Sequence, residues 1–245
     1  MRILLIRHGE PDYARDTLTE KGWREAELLS ERMAKEDITE FYVSPLGRAK
    51  DTASLTIEKM HRTAKEYKWL REFAPRIQKP YEGNRRSIVW DWLPEEWTAR
   101  EEFYDPDLWY SEKELQEAGV KQEYDWVVGE FDKLLAEHGY VREGKIYRAE
   151  HSNKDTLAFF CHFGLSCVLL SHLMNISPMV LWHSTCLAPT SVSSLYTEER
   201  QKGKVIFRAN CLGDTSHLYV HDEAPSLSAR FRETYDSLDD TQHQK

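Results

Sequence analysis

Residues 2–9 read RILLIRHG, an apolar run that ends directly on Arg7, His8 and Gly9. A compact run of branched aliphatic side chains predicts a buried β-strand. In sheets that alternate with helices, ligands gather at the carboxyl ends of the strands. We therefore expect Arg7 and His8 to lie at a ligand site.

Apolar runs alternate with helical patterns along much of the remaining chain. Strands are predicted at residues 41–43, 66–70, 156–160, 191–196 and 205–209, and helices at residues 19–33, 45–60 and 163–174. This alternation predicts an α/β layer architecture. Glu72 and His162 each follow a predicted strand, as His8 does. Three residues that are distant in sequence are therefore expected to meet at one edge of the sheet.

The stretch between residues 78 and 152 differs in composition, because it holds five of the eight tryptophans: Trp90, Trp92, Trp97, Trp109 and Trp126. We predict a single domain over residues 1–245, with residues 78–152 as an insertion that has its own small core. Helices are predicted in it at residues 94–103 and 123–138. From about residue 223 the chain becomes polar, which is typical of a frayed tail without a functional element.

The composition excludes several classes of function. The chain has 245 residues, of which 40% are hydrophobic and 31% charged, as in ordinary globular proteins. Its formal net charge of −9 provides no global positive field for nucleic acid or for an anionic membrane surface. Any anion site must therefore be local, and neither kind of partner is expected.

The cysteines and the apolar segments indicate the compartment. The four cysteines form no CxxC pair and are too few to staple a small secreted fold. The N-terminal apolar run is short and lacks a cleavage site, and no segment reaches membrane-spanning length. We expect a cytoplasmic protein that is neither exported nor embedded in a membrane.

Four short motifs occur in a fixed order: RHG at residues 7–9, SPLGRAKDTA at 44–53, WLREF at 69–73 and FFCHFG at 159–164. Together they resemble the signature of the histidine phosphatase superfamily, which is phosphoglycerate mutase-like. The resemblance covers residues 1–75 and 155–218. It implies a three-layer α/β/α fold with a mostly parallel central sheet, into which the helical and aromatic insertion is placed.

The resemblance also implies a role for each matching residue. His8 matches the nucleophile that accepts the phosphoryl group, and Glu72 matches the proton donor. Arg7, Arg48 and His162 match the residues that bind the phosphoryl oxygens. The sequence departs from the family after Glu72, where APRIQKPYEG replaces a Gly-rich or aromatic-Gly stretch.

The chemistry of a phosphomonoester explains these residue types. The substrate is a dianion, so the attacking group must be neutral and the pocket cationic. Imidazole can attack through one ring nitrogen when the other donates its hydrogen to a carbonyl group. We expect Arg7, Arg48 and a protonated His162 to lower the pKa of His8. This scheme requires no metal and no cofactor.

Arg85 and Arg86 resemble the arginine pair with which mutases hold a second anionic group, and a solvated pair of basic side chains is the alternative.

We predict a phosphatase that acts on a small phosphorylated substrate. A cofactor-dependent phosphoglycerate mutase and a non-catalytic phospholigand-binding module are the alternatives. The sequence leaves the identity of the substrate and the oligomeric state open, a homodimer included.

Overall fold

A computed structural model describes residues 1–228 and 230–236, and within them we number twelve strands and eight α-helices. The strands are β1 (Arg2–Arg7), β2 (Pro11–Asp12), β3 (Thr17–Leu18), β4 (Glu40–Val43), β5 (Ala64–Glu66), β6 (Arg76–Ile77), β7 (Ser87–Ile88), β8 (Tyr140–Glu143), β9 (Ile146–Ala149), β10 (Thr156–Cys161), β11 (Val192–Gln201) and β12 (Lys204–Asp214). The helices are α1 (Glu20–Met33), α2 (Gly47–Lys59), α3 (Pro94–Thr98), α4 (Lys113–Glu117), α5 (Val120–Glu137), α6 (Phe163–Met174), α7 (Pro178–Ser184) and α8 (Ser216–Tyr219).

An eight-stranded central sheet runs in the order β5-β4-β10-β1-β11-β12-β9-β8. The four strands from β5 to β1 are parallel to one another. The other four are joined by antiparallel pairing, which begins between β1 and β11. The α/β fold class is therefore confirmed, and its parallel half carries the strand ends at which we expected the site.

Strands β1 and β10 are buried on both faces, which explains why they read as continuous apolar runs. On β1, Leu4 and Ile6 pack in a cluster with Leu29 of α1 and Ala53 of α2. The alternate residues of β1 belong to a second, larger cluster that includes apolar side chains of α5 and α6. Helices therefore cover the sheet from both sides, giving three layers.

The third strand differs from the prediction. The apolar run before Glu72 is a 3-10 turn over Lys68–Leu70, and the strand β5 precedes it. Trp69 and Leu70 are buried in the larger cluster, so their burial comes from packing rather than from strand pairing. Glu72 therefore follows the turn instead of a strand end.

The predicted insertion does not have a separate core. Trp90, Trp92 and Trp109 belong to the same apolar cluster as Leu5 of the central sheet. Strands β8 and β9 also extend that sheet. The predicted helix at residues 94–103 is divided into α3 and a 3-10 turn over Glu101–Tyr104, whereas α5 closely matches the other predicted helix. The division of the chain into a domain and an insertion stays a prediction.

The loop after β1 packs closely against the first turn of α1. A Cβ atom on Gly22 would lie 2.2 Å from the carbonyl oxygen of Glu10, and one on Gly9 would lie 2.7 Å from the carbonyl oxygen of Gly22. These are backbone contacts, which cannot move aside as a flexible side chain can. Glycine is therefore required at positions 9 and 22, and Gly9 directly follows His8 in sequence.

We predict that Gly22→Ala destabilises the protein by about 1–3 kcal/mol, the usual cost of overpacking. Gly129→Ala is the matched control, because Gly129 lies inside α5 and a Cβ atom there meets nothing within 4 Å. The control should instead gain about 0.5–1 kcal/mol from its higher helix propensity. Denaturant unfolding of both variants gives the two values. Equal unfolding free energies for Gly22→Ala and Gly129→Ala would show that the backbone around Gly22 can move to accommodate a Cβ atom.

Candidate active site

His8 lies directly after β1 and is only 2% exposed. Its Nδ1 is 2.7 Å from the carbonyl oxygen of Gly9, which can only accept a hydrogen bond. This contact assigns the proton to Nδ1 and leaves a lone pair on Nε2. Burial, followed by the charges of Arg7 and Arg48, holds the pKa of His8 well below its usual value. His8 is therefore neutral, as a nucleophile must be.

The backbone around His8 is fixed from three sides. The amide of His8 donates to the carbonyl oxygen of Cys161 on β10 at 3.0 Å, and its own carbonyl oxygen accepts from the amide of Thr190 at 3.2 Å. The amide of Gly9 donates to Thr52 Oγ1 at 2.9 Å, and this hydroxyl donates to the carbonyl oxygen of Arg48. The nucleophile and α2 are thereby held in one arrangement.

His162 lies beside His8 because β1 and β10 are parallel and in register, with Arg7 opposite Cys161. The two imidazole centroids are 5.1 Å apart. His162 is fully buried, and its Nε2 lies 2.7 Å from Ser44 Oγ. Ser44 Oγ accepts from the amide of Leu46, and its hydroxyl can in addition donate to His162 Nε2. In that tautomer, His162 Nδ1 carries the proton, and it has no hydrogen-bond partner among the described residues.

Our expectation that His162 is protonated disagrees with its surroundings. Burial, followed by the effects of His8, Arg48 and Arg7, holds the pKa of His162 well below its usual value. The free protein therefore has a neutral imidazole at this position. Its Nδ1–H is still a hydrogen-bond donor, so His162 can contact a phosphoryl oxygen without carrying a charge.

Arg7 and Arg48 provide the positive charge next to the two histidines. Arg7 is 2% exposed, and it donates to the carbonyl oxygens of Leu187 and Ser228 at 2.6 and 3.1 Å. Arg48 lies in the first turn of α2, where the helix dipole adds partial positive charge. In each arginine, the buried Nε has no hydrogen-bond partner among residues 1–228 and 230–236. Donors of this kind are suited to binding an anion.

Asp16 holds Arg48 in place, and the motifs gave no signal for it. Its carboxylate accepts from Arg48 at 2.6 Å and from the amide of Gly47 at 2.7 Å. Burial raises the pKa of Asp16, but the Gly47 amide and Arg48 outweigh this effect and lower it overall. Asp16 therefore stays ionised and orients the arginine fork. Ser44 is a second residue that supports the site, through its contact with His162. The motif at residues 44–53 indicated Ser44 only as part of a helix start.

Glu72 is partly buried, and its Oε1 accepts from the amides of Phe73 and Leu165 at 2.9 and 3.0 Å. Burial raises its pKa, against the opposing effects of Leu165, Arg48 and Arg7. A carboxyl group with a raised pKa beside a cationic site can hold a proton for a leaving group. A Cβ atom on Gly164 would lie 2.3 Å from the buried ring of Trp90 and 2.9 Å from Glu72 Oε1, so any larger residue there would displace the ring.

Arg7, Arg48 and Glu72 all line a cavity of about 1020 Å³. Its other walls come from residues 88–97, 182–186 and 230–235, together with Tyr13 and Phe163. Arg85 and Arg86 are exposed on the turn between β6 and β7, and neither is among the lining residues in the described part of the chain. Their role in binding substrate stays a prediction.

Residues 224–228 of the predicted frayed tail are instead anchored to the rest of the protein, and residue 229 lies outside the described residues. Glu25 of α1 is fully buried and accepts from the amides of Ser226 and Glu10 at 2.9 and 3.0 Å. Burial raises the pKa of Glu25 to about 7, against these two hydrogen bonds. Together with the contact between Arg7 and Ser228, this anchors the segment beside the site. Residues 237–245 of the predicted tail lie outside the described residues.

Two absences concern the residues that the structure describes. Among residues 1–228 and 230–236, no group of three or more His, Cys, Asp or Glu side chains is arranged to hold a metal ion. Over the same residues, no helix combines the length and the apolar character that crossing a membrane requires.

Comparisons with known proteins agree with this geometry. The model of the histidine phosphatase superfamily (branch 1) matches residues 3–121, which include His8, Arg48 and Glu72. A 2,3-bisphosphoglycerate-dependent phosphoglycerate mutase of Thermoplasma acidophilum is 41% identical over 69 residues. This match covers 24% of the chain and 34% of the mutase, about a third of the relative's length.

Solved structures share the whole fold at low identity. A phosphoserine phosphatase of Entamoeba histolytica in complex with 3-phosphoglyceric acid superposes with a TM-score of 0.55 and 18% identity, covering 89% of this chain and 98% of that one. A mycobacterial glucosyl-3-phosphoglycerate phosphatase superposes with a TM-score of 0.55 and 17% identity. The match covers 86% of this chain and 98% of that one. The histidine phosphatase superfamily thus matches residues 3–121, the part of the chain that contains three of the four motifs, and the two solved phosphatases share the fold of the chain.

Proposed function

We propose that this protein is a phosphatase that hydrolyses a small phosphomonoester through a phosphohistidine intermediate on His8. The proposal is supported by a neutral imidazole of fixed orientation that lies beside buried N–H groups without hydrogen-bond partners in the described part of the chain. His8 keeps a free lone pair on Nε2, while Arg7, Arg48 and His162 each have a buried nitrogen without a partner. A tetrahedral dianion fits this set of groups.

In the first step, the Nε2 lone pair of His8 attacks phosphorus and the bond to the leaving oxygen breaks. Glu72 gives its proton to that oxygen, so that the product leaves as a neutral alcohol. The hydrogen bond from Nδ1 to the carbonyl oxygen of Gly9 stabilises the positive charge that develops on the ring. Arg7 and Arg48 bind the equatorial oxygens, which carry most of the negative charge.

In the second step, the Glu72 carboxylate takes a proton from water, whose oxygen attacks phosphorus. The bond between phosphorus and Nε2 breaks, inorganic phosphate leaves, and His8 is again neutral. The same carboxyl group thus acts first as acid and then as base. The raised pKa of Glu72 supports the first of these roles.

A phosphoglycerate mutase is the second candidate, favoured by the match to the mutase of Thermoplasma acidophilum. A mutase would return the phosphoryl group to bound product instead of to water. Phosphate release and phosphoglycerate isomerisation, followed in parallel on the same sample, separate the two. Release that exceeds isomerisation supports the phosphatase. A non-catalytic binding module would show neither activity.

The cellular compartment belongs to the same proposal. None of the four cysteines, all of which lie in the described part of the chain, forms a disulfide bond, and Cys161 and Cys167 are buried. Burial raises the pKa of Cys161 to about 12, so this thiol is unreactive. Cysteines outside disulfide bonds support the expectation of a reducing cytoplasm.

The intermediate is tested by incubation with a ³²P-labelled substrate and rapid quenching. We expect an acid-labile, base-stable label on wild-type protein and none on His8→Ala, because that change removes the nucleophile. The loss of kcat should be correspondingly large. Label that persists in His8→Ala would contradict the mechanism.

Glu72 is tested with leaving groups of different basicity. For an alkyl phosphate, Glu72→Gln should lower kcat by about 10²- to 10⁴-fold, because the departing alkoxide needs a proton. For para-nitrophenyl phosphate, formation of phosphohistidine should be much less impaired, since the phenolate is stable without help. Stopped-flow measurement of the nitrophenolate burst separates the two steps. Equal, small losses on both substrates would remove Glu72 from the reaction.

Incubation with EDTA should leave kcat unchanged, because arginines supply the positive charge at the proposed phosphate site. The assay compares chelator-treated protein with protein to which Mg²⁺ or Zn²⁺ has been added back. Activity that disappears with EDTA and returns only with metal would overturn this part of the proposal.

A further inference from the structure

The cavity is larger than a phosphoryl group and a short alcohol require. Its volume of about 1020 Å³ is at the upper end of the range that holds drug-sized ligands. Arg7, Arg48 and Glu72 account for the reacting end of the substrate. The remaining walls therefore face the part of the substrate that leaves as the alcohol.

About a third of the residues around the cavity are aromatic. Eight of the 23 lining residues are Trp, Tyr or Phe, among them Trp90, Trp92, Trp97 and Trp182. So many rings around one cavity offer a large apolar surface whose faces attract other rings. A short polar alcohol would leave most of this surface in contact with water.

The tryptophan rings are held in place by the protein itself. Trp182 Nε1 donates to the carbonyl oxygen of Gly164 at 3.0 Å, and Trp92 Nε1 donates to that of Val89 at 2.9 Å. Trp90 packs against Trp182 with their ring centroids 5.7 Å apart. Trp97 stacks on His183 with a centroid distance of 4.9 Å. Trp92 and Trp182 are each only 4% exposed, so they form a rigid backing to the cavity, and the more exposed rings of Trp97 and Phe231 are the ones that a ligand can contact.

The charged groups near these walls engage other parts of the protein. Arg230 forms an ion pair with Glu233, and Arg232 donates to the carbonyl oxygen of Tyr235 and lies over its ring at 4.9 Å. Burial lowers the pKa of His183 to about 4, so this side chain is neutral.

We infer that the alcohol part of the substrate carries an aromatic ring, which binds in this cavity against Trp97 and Phe231. The inference rests on the proposed phosphatase function and adds the class of substrate. It also sets this chain apart from the phosphoserine phosphatase and the glucosyl-3-phosphoglycerate phosphatase of similar structure, which are named for substrates of another kind. Phosphorylated aromatic alcohols should therefore react better here than phosphorylated hydroxy acids.

The first experiment compares ethyl phosphate, 2-phenylethyl phosphate and 2-(2-naphthyl)ethyl phosphate. The three leaving alcohols have nearly the same basicity, so differences in kcat/KM report binding in the cavity instead of leaving-group chemistry. We expect kcat/KM to rise by at least about 10-fold from ethyl to naphthylethyl, as burial of apolar surface predicts. Phosphoserine should resemble ethyl phosphate. Equal values across the series would overturn the inference.

The second experiment places the ring. Trp97→Ala should reduce the naphthylethyl-to-ethyl ratio of kcat/KM by about 10-fold, the scale of one lost aromatic contact. Trp126→Ala is the matched control, because Trp126 is a half-exposed tryptophan on α5 that is not among the lining residues. Phe231→Ala serves as a second variant, since Phe231 is 60% exposed and lies outside the helices and strands. An unchanged ratio in both cavity variants would contradict the placement.

The third experiment separates this inference from the proposed function. Methylphosphonate and 2-naphthylmethylphosphonate have a P–C bond that hydrolysis does not cleave, and calorimetric titration measures their Kd. Tighter binding of the naphthyl compound without turnover of any ester would reject the phosphatase and keep the aromatic site. Turnover of esters with equal binding of both phosphonates would keep the phosphatase and reject the aromatic site.

Discussion

The parallel pairing of β1 with β10 is the constraint on which the site depends. It sets Arg7 opposite Cys161, and the amide of His8 continues the ladder by donating to that residue. The two imidazoles, 154 positions apart in sequence, therefore lie side by side. A shift of one residue would turn every side chain of β1 to the opposite face and remove His8 from the site.

Burial gives this pair its chemical character. Both imidazoles are almost fully enclosed, and two arginines lie next to them, so both pKa values are lowered well below the usual range. Asp16 balances part of this positive charge through its ion pair with Arg48. Burying the remaining polar groups is still costly, because each buried donor has lost its hydration. The proposed phosphate dianion would provide hydrogen-bond acceptors for these donors.

Much of this could be predicted from local sequence patterns. The strands before His8 and His162 are apolar runs, and Arg48 belongs to a helix start, so each residue had a signal within ten positions. Asp16 had none, because its partner Arg48 is 32 positions away. The segment around Ser228 reads as polar, yet it is held by contacts to a buried carboxylate about 200 positions earlier in sequence. Such contacts are a property of the tertiary structure, and periodicity does not encode them.

The central claim is that His8 is a neutral imidazole with its proton on Nδ1 and a lone pair on Nε2. Nitrogen-15 NMR of the imidazole rings tests it directly, with the His8 signals assigned by their loss in His8→Gln. From about pH 5.5 to about pH 8, Nδ1 should keep the shift of a protonated nitrogen and Nε2 that of an unprotonated one. A titration of His8 at the ordinary value of 6.5, or a proton on Nε2, would contradict the account.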